Sequence, residues 1–377
     1  MNEKRILYVF YQTPNQANGG VNSLWEVIQG LQEYQPVLLT NRASDITRKA
    51  KSRGLKVYLF KQNENFGLFN RLFNLILFQF IMLKVFLSHN IKVTHFNDIL
   101  VLLNGVFLSK LFQKRILFNI RAVKEPNQVY SLKWKIVDLC DYIVSLSCEM
   151  KNELLTRLPV KNQNSLKKKS SVIYSIVDLD KFKPASNSVK NKLACEFNFD
   201  ENQLNLVYPA AFKEVKNQKE FITESLEFVK KNNVHIHFVG DFNEYATQCE
   251  EIVSKNKADN HYTFHGFKKD IHEFYYAADL VILASKREGM ARCMIESIAC
   301  GKPFVSFNVT SAKEILEKNR CGLVAKQGDY RSFFDKVLEL SSNTKMYQEY
   351  AANGRVLAVG KFDKIHNIEQ YKSIYFS

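Results

Sequence analysis

Residues 280–305, "LVILASKREGMARCMIESIACGKPFV", read as a buried strand, a polar turn, a helix and the start of a second strand. "LVILAS" is apolar almost throughout, as in a strand covered on both faces. "KREGM" is the turn, and a helix beginning near Ala291 is stopped by Gly301 and Pro303. Within it, Glu296 stands among Met294, Ile295, Ile298, Ala299 and Cys300. A carboxylate on such a face is costly unless a polar group meets it. Arg292, four residues earlier, offers an ion pair, but in the less favourable order and worth only about 0.3–0.5 kcal/mol if exposed. A ligand is the other way to satisfy it. Glu288, eight positions before Glu296, precedes the helix, whose first N–H groups form a ready anion site.

Strand–helix–strand is the repeating unit of parallel sheets, and it extends through the chain. Strands are expected near 4–10, 36–40, 55–60, 92–96, 116–121, 141–147 and 171–177. A second series falls near 204–212, 234–240, 261–267, 280–285, 303–307 and 322–325. Between them "DLDKFKPASNSVKNK" (178–192), with a proline, small residues and lysines, reads as a link. A chain of 377 residues exceeds one ordinary core. The expected architecture is α/β, with two doubly wound, Rossmann-like domains, 1–180 and 181–360, facing across a cleft. A C-terminal helix within 361–377 is expected to pack back on the first domain. Ligands of such sheets bind beyond the carboxyl ends of the strands. "DLD" at 178–180 has the bare D-x-D form that some transferases use for a metal. It opens a link and has no companion oxygen ligands, so no metal is expected there.

The net charge of +15 is uneven, +12 over residues 1–180 and +3 over 181–377. A basic first half suits a phosphorylated substrate, anionic lipid or nucleic acid. Seven scattered cysteines without a C-x-x-C pair argue for reduced thiols, against zinc or a disulfide framework. The opening "MNEKRILYVFYQT" lacks the features of a signal peptide, which points to a cytoplasmic location. "FNRLFNLILFQFIMLKVFL" (69–87) is the most membrane-like stretch, yet Arg71, Asn74, Gln79 and Lys84 interrupt it and it is short for a bilayer span. A helix buried between sheet and neighbours is expected, with a surface-lying amphipathic helix as the alternative.

Two further segments have the residue types of an anion site. Gly19 and Gly20 follow the first strand and precede an amphipathic helix, where backbone N–H groups can approach an anion, or simply turn the chain. The spacing is not G-x-G-x-x-G, so no dinucleotide fingerprint is present. In "LVYPAAFKEVKNQKEFI" (206–222), Lys213 and Lys216 stand at the carboxyl end of a strand. Each could bring a point charge to a phosphate, or be a solvated loop lysine.

"EGMARCMIE" followed by "SIACGKPFV" resembles the E-x7-E signature of glycosyltransferase family 4, which has the GT-B fold of two Rossmann-like domains. "NGGVNSLWEVIQGL", "CDYIVSLSCEMKNELL", "SVIYSIVDLDKFKP", "HIHFVGDFNEY", "YTFHGFKKDIHEFYYAADLVILAS" and "SAKEIL" are similar to further family blocks, in order, over almost the whole chain. The resemblance implies that Glu296 binds the ribose of a nucleotide-sugar and that Glu288 lies beside the donor sugar. It places the amides near Gly289, Met290 and Ala291 by the diphosphate or sugar, Lys216 on the diphosphate and Phe267 beside the base. Gly19 and Gly20 would add amides. Two positions depart from the family. Ala211 stands where an arginine is usual, which leaves Lys213 as a substitute charge, and Arg121 stands where many members have an acceptor-side histidine. His95 lies in that neighbourhood, although a lone strand histidine is more often structural.

The implied activity is retaining transfer of a hexose-type sugar from a nucleoside diphosphate to a glycan or lipid-linked acceptor, in bacterial surface polysaccharide synthesis. No cofactor, metal or nucleic acid is implied, and the basic first half suggests peripheral contact with an anionic membrane at its inner face. A nucleotide-sugar epimerase of the same fold, or an inactive basic RNA- or lipid-binding relative, are the alternatives.

Overall fold

The computed structural model describes residues 4–12, 19–60, 68–121, 132–159 and 163–376. The chain divides into two compact units, the first reaching Ile176 and regaining the chain from Lys364, the second spanning Val177–Asp363. The division thus falls four residues before the expected one.

Seven strands form the first unit's sheet: β1 Arg5–Phe10, β2 Val37–Thr40, β3 Lys56–Leu59, β4 Ile91–Phe96, β5 Arg115–Ile120, β6 Tyr142–Ser145 and β7 Ser170–Val172. They are ordered β3-β2-β1-β4-β5-β6-β7 and pair in parallel throughout. Six strands form the second: β8 Leu204–Pro209, β9 Val234–Val239, β10 Tyr262–Phe264, β11 Leu280–Leu283, β12 Phe304–Phe307 and β13 Gly322–Ala325. Their order is β10-β9-β8-β11-β12-β13, again parallel. All thirteen expected strands are present. The order reverses between β1 and β4 in one sheet and between β8 and β11 in the other. Those switch points open the crevice in which doubly wound sheets take ligands.

Helix Lys364–Phe376 closes the first unit. Ile368, Tyr371, Ile374 and Tyr375 join the core that holds Ile6, Tyr8, Leu24 and Ile28. Its polar groups are met from the sheet, Asn119 Nδ2 donating to the Tyr371 hydroxyl at 2.8 Å and His95 Nδ1 lying 2.5 Å from that of Tyr375. The D-x-D motif serves the link itself, with Asp178 Oδ1 accepting from the amides of Asp180 and Lys181 at 3.1 Å.

Helix Leu68–Ser88 departs from the expected burial. Phe78, Met82 and Val85 are fully buried, but Phe69, Leu72, Phe73, Ile76, Phe80 and Leu87 are exposed. The helix has two apolar faces, and the unit covers one.

An imidazole row runs beside the second sheet. His237 Nδ1 lies 3.0 Å from His265 Nε2, His237 Nε2 lies 3.1 Å from Asn205 Oδ1, and Phe199 stacks on His237 at 3.6 Å. Burial, aided by the neighbouring histidines, lowers the His237 pKa to about 2, and burial lowers those of His235 and His265 to about 4. In the unfolded chain these groups titrate near 6.5. Below that pH the unfolded state binds the extra protons, so their contribution, complete above pH 6.5, declines as pH falls. From pH 6.5 to 4.5 His237 alone should cost about 2–3 kcal/mol. Urea unfolding at both pH values should show a smaller loss in His237→Gln than in the native chain. Equal losses would refute the contribution of His237.

Candidate functional site

At the β8/β11 switch point two loops are laced together. The loop after β8 runs through Lys213 into a 3-10 turn, Glu214–Lys216, and then into helix Gln218–Lys231. A Cβ on Gly240 would collide with the Ala210 carbonyl, so the start of this loop and the end of β9 approach only because that residue is glycine. The loop after β11 carries Lys286–Met290 and leads into helix Arg292–Ala299.

Lys216 Nζ meets Glu288 Oε1 at 2.5 Å, with side chains 25% and 10% exposed. Burial alone would lower the lysine's pKa, but the charge and hydrogen bond of Glu288 outweigh it and raise the pKa above its ordinary value. Lys216 therefore stays an ammonium at any physiological pH. The Tyr208 hydroxyl fixes its backbone by donating to the Lys216 carbonyl at 2.5 Å while accepting from the Ala284 amide at 3.0 Å. Asn217, in the left-handed conformation at φ 65°, donates to the Ala284 carbonyl at 3.1 Å and to the Tyr330 hydroxyl at 2.8 Å. Lys286 adds ion pairs to Glu214 at 3.0 Å and Glu220 at 3.3 Å.

Glu296 is 8% exposed, and Arg292 meets its Oε1 with Nε at 3.0 Å and a terminal nitrogen at 2.8 Å. The neighbouring side chain thus supplies the polar partner, and the pair is well buried rather than exposed. Oε2 has a hydrogen bond from the Tyr275 hydroxyl at the long limit of 3.5 Å. An incoming hydroxyl donor would find acceptor capacity there.

Met290 and Ala291 are nearly buried, and the Gly289 carbonyl accepts from Ser311 Oγ at 3.0 Å. Ser311 itself has φ 75°, a strained value held beside the site. Lys213 is half-buried and has no carboxylate partner among the described residues. Ala211, the departure from the family pattern, accepts from Gln218 Nε2 at 3.1 Å through its carbonyl. Phe267 is 44% exposed and follows Gly266, whose φ is 68°. Cys293 lies close enough to Glu288 for that carboxylate, after burial, to help raise its thiol pKa.

Gly19, Gly20, Arg121 and His95 belong to the first unit. Gly19 and Gly20 open helix Gly19–Gly30, and Arg121, just past β5, donates to Asn97 Oδ1 at 2.9 Å and to Ser23 Oγ of that helix at 3.1 Å. These groups gather at the β1/β4 switch point. His95 does not join them. It is 0% exposed beneath helix Lys364–Phe376, and burial followed by the Arg121 charge keeps its pKa well below the ordinary value. A neutral ring enclosed in the core fits the structural role that a lone strand histidine more often has.

Lys216, Glu288, Gly289, Met290, Ala291 and Glu296 fall on the two laced segments of the second unit. The sequence reading missed Tyr208, Asn217, Tyr330 and Ser311, which hold those segments. Only Asn217 left a local signal, an asparagine between a turn lysine and a helix start.

Residues 189–357 match the family described as Glycosyl transferases group 1. The putative glycosyltransferase EpsD of Bacillus subtilis is 28% identical over 53% of this chain and 52% of its own. The N,N'-diacetylbacillosaminyl-diphospho-undecaprenol alpha-1,3-N-acetylgalactosaminyltransferase of Campylobacter jejuni is 24% identical over 66% of this chain and 63% of its own. The chain spans about half the length of the first curated relatives it matches. The crystal structure of Anabaena Alr3699/HepE in complex with UDP-glucose shares the fold, with a TM-score of 0.82, 18% identity and 98% of each chain covered.

Proposed function

We propose that this chain, whose residues 189–357 match the Glycosyl transferases group 1 family, is a retaining glycosyltransferase that uses a nucleoside diphosphate sugar. The observation that carries this reading is the Lys216–Glu288 pair, 2.5 Å apart at the carboxyl ends of β8 and β11. Departure of the diphosphate builds negative charge, and a fixed ammonium beside helix N–H groups stabilises it. Lys216 takes that role without a metal, Lys213 brings a second charge, and the amides of Gly289, Met290 and Ala291 face the phosphates or sugar. Glu288 holds Lys216 in place and accepts from a donor-sugar hydroxyl. Glu296 Oε2 accepts from the ribose, and Phe267 borders the base. Within the first unit, Arg121 and the Gly19–Gly20 helix start at the β1/β4 switch point are suited to an anionic ligand.

The likeness to a relative named for a diphospho-undecaprenol acceptor supports a glycan or lipid-linked acceptor, handled by a cytoplasmic enzyme at the inner face of the membrane. A panel of nucleoside diphosphate hexoses incubated with such acceptors tests the reading. The expected result is acceptor-dependent release of the nucleoside diphosphate, with the donor's anomeric configuration kept in the product. Release of a free epimerised sugar from the donor alone, or no turnover of any donor, would contradict it.

A further inference from the structure

We infer that the outward face of helix Leu68–Ser88, continued by helix Ile99–Leu111, lies flat in the interfacial layer of an anionic bilayer. Phe69, Leu72, Phe73, Ile76, Phe80 and Leu87 recur at intervals of three, one, three, four and seven residues, which puts them on one side of an α-helix. All are more than half exposed, from 53% at Phe73 to 82% at Phe69. Leu100, Phe107 and Leu111 of the second helix are also more than half exposed. An apolar surface of this extent marks a place of interaction rather than ordinary scatter.

The opposite side of the first helix is committed to the unit. Phe78, Met82 and Val85 are fully buried, and Phe78 meets Phe60 edge-on with ring centres 4.9 Å apart. Gln79 Nε2 donates to the Asn104 carbonyl of the second helix, and a Cβ on Gly105 would strike the Phe96 ring. By length and composition the helix could cross a membrane. To do so it would have to strip this face from the core, so the geometry points to lying on the surface instead.

Charge decides the occupant. Residues 68–121 contain seven Lys and Arg and one acidic residue, Asp98. The Asp98 carboxylate is turned inward, accepting from the amides of Leu100 and Val101 and from that of Tyr11. Lys84 follows Phe80 by four residues and precedes Leu87 by three, so it flanks the apolar stripe, and it is exposed. Lys110 flanks Phe107 in the same way, though it also pairs with Asp141 at 2.9 Å. Two such faces on copies of the chain would repel, whereas anionic headgroups attract them.

The proposal deepens the membrane-side reading above, and its test needs no donor or acceptor, so it can fail while the activity stands. The full chain is sedimented with vesicles of phosphatidylcholine alone or mixed equally with phosphatidylglycerol, at low and high salt. We expect binding to the mixed vesicles that salt weakens, and at least a tenfold loss of partitioning in Phe73→Glu/Phe80→Glu with unchanged melting temperature. Lys84→Glu, which leaves the stripe intact, should weaken binding severalfold and keeps the test decisive if the double variant fails to fold. Equal binding by the native chain and the variants would overturn the proposal. So would a native dimer, in sedimentation equilibrium, that the glutamates dissociate and that ignores vesicles.

Discussion

Replacing Lys216 by glutamine is expected to slow sugar transfer by about 10²–10³-fold, the usual effect of removing one preorganised donor from a developing oxyanion. Glutamine is the informative change, because it still offers Glu288 a hydrogen bond. Lys216→Ala would leave a largely buried carboxylate without its cation, and breaking one side of such a pair costs about 3–5 kcal/mol in stability. Loss of activity in the alanine variant would then mix catalysis with unfolding. Lys286→Ala is the matching control. That lysine is 41% exposed and, among the described residues, pairs with the surface glutamates Glu214 and Glu220, so its loss should change turnover by no more than a few-fold. Turnover within threefold of native in a well-folded Lys216→Gln chain would remove Lys216 from the mechanism.

A second large effect is expected at Glu296, read in binding rather than turnover. If Oε2 takes a ribose hydroxyl, Glu296→Ala removes a charge-assisted hydrogen bond worth about 1.5–3 kcal/mol, roughly 10- to 150-fold in nucleotide affinity. Arg292 complicates this, since it occupies Oε1 and loses that ion pair in the same variant. Arg292→Met separates the two roles. If Glu296 exists only to hold Arg292, both variants should lose stability alike and leave nucleotide affinity alone. Under the ribose assignment only Glu296→Ala weakens binding substantially, measured by titration calorimetry with the nucleoside diphosphate.

How far the sequence led depended on how local each signal was. The strands were legible because a strand covered on both faces is a short unbroken apolar run, as in "LVILAS". Their ends were less so, as β8 stops at Pro209 rather than running to residue 212. Helix Leu68–Ser88 was placed within a residue, but its apolar residues surround the axis, so composition could not say which face the fold covers. Lys216, Glu288 and Glu296 were found because they stand in short motifs beside strand ends. Tyr208 and Tyr330 were not, because each is an ordinary aromatic whose importance lies in a partner loop far along the chain. The contact of His95 with Tyr375 was hidden for the same reason, the two being 280 residues apart. Glu296 shows the limit most clearly. The sequence posed the question of its partner and offered Arg292, yet only the packed helix shows one carboxylate oxygen taken and the other lightly used.

The central claim is that the second unit binds a nucleoside diphosphate through Lys216. Calorimetric titration of the native chain and of Lys216→Gln with UDP, GDP and the corresponding nucleosides tests it most directly. The account predicts that at least one diphosphate binds the native chain and loses about tenfold or more in affinity in the variant, a difference of at least about 1.4 kcal/mol. Nucleoside binding should be the same in both. Diphosphate affinity unchanged by the substitution, with both chains folded, would contradict the account.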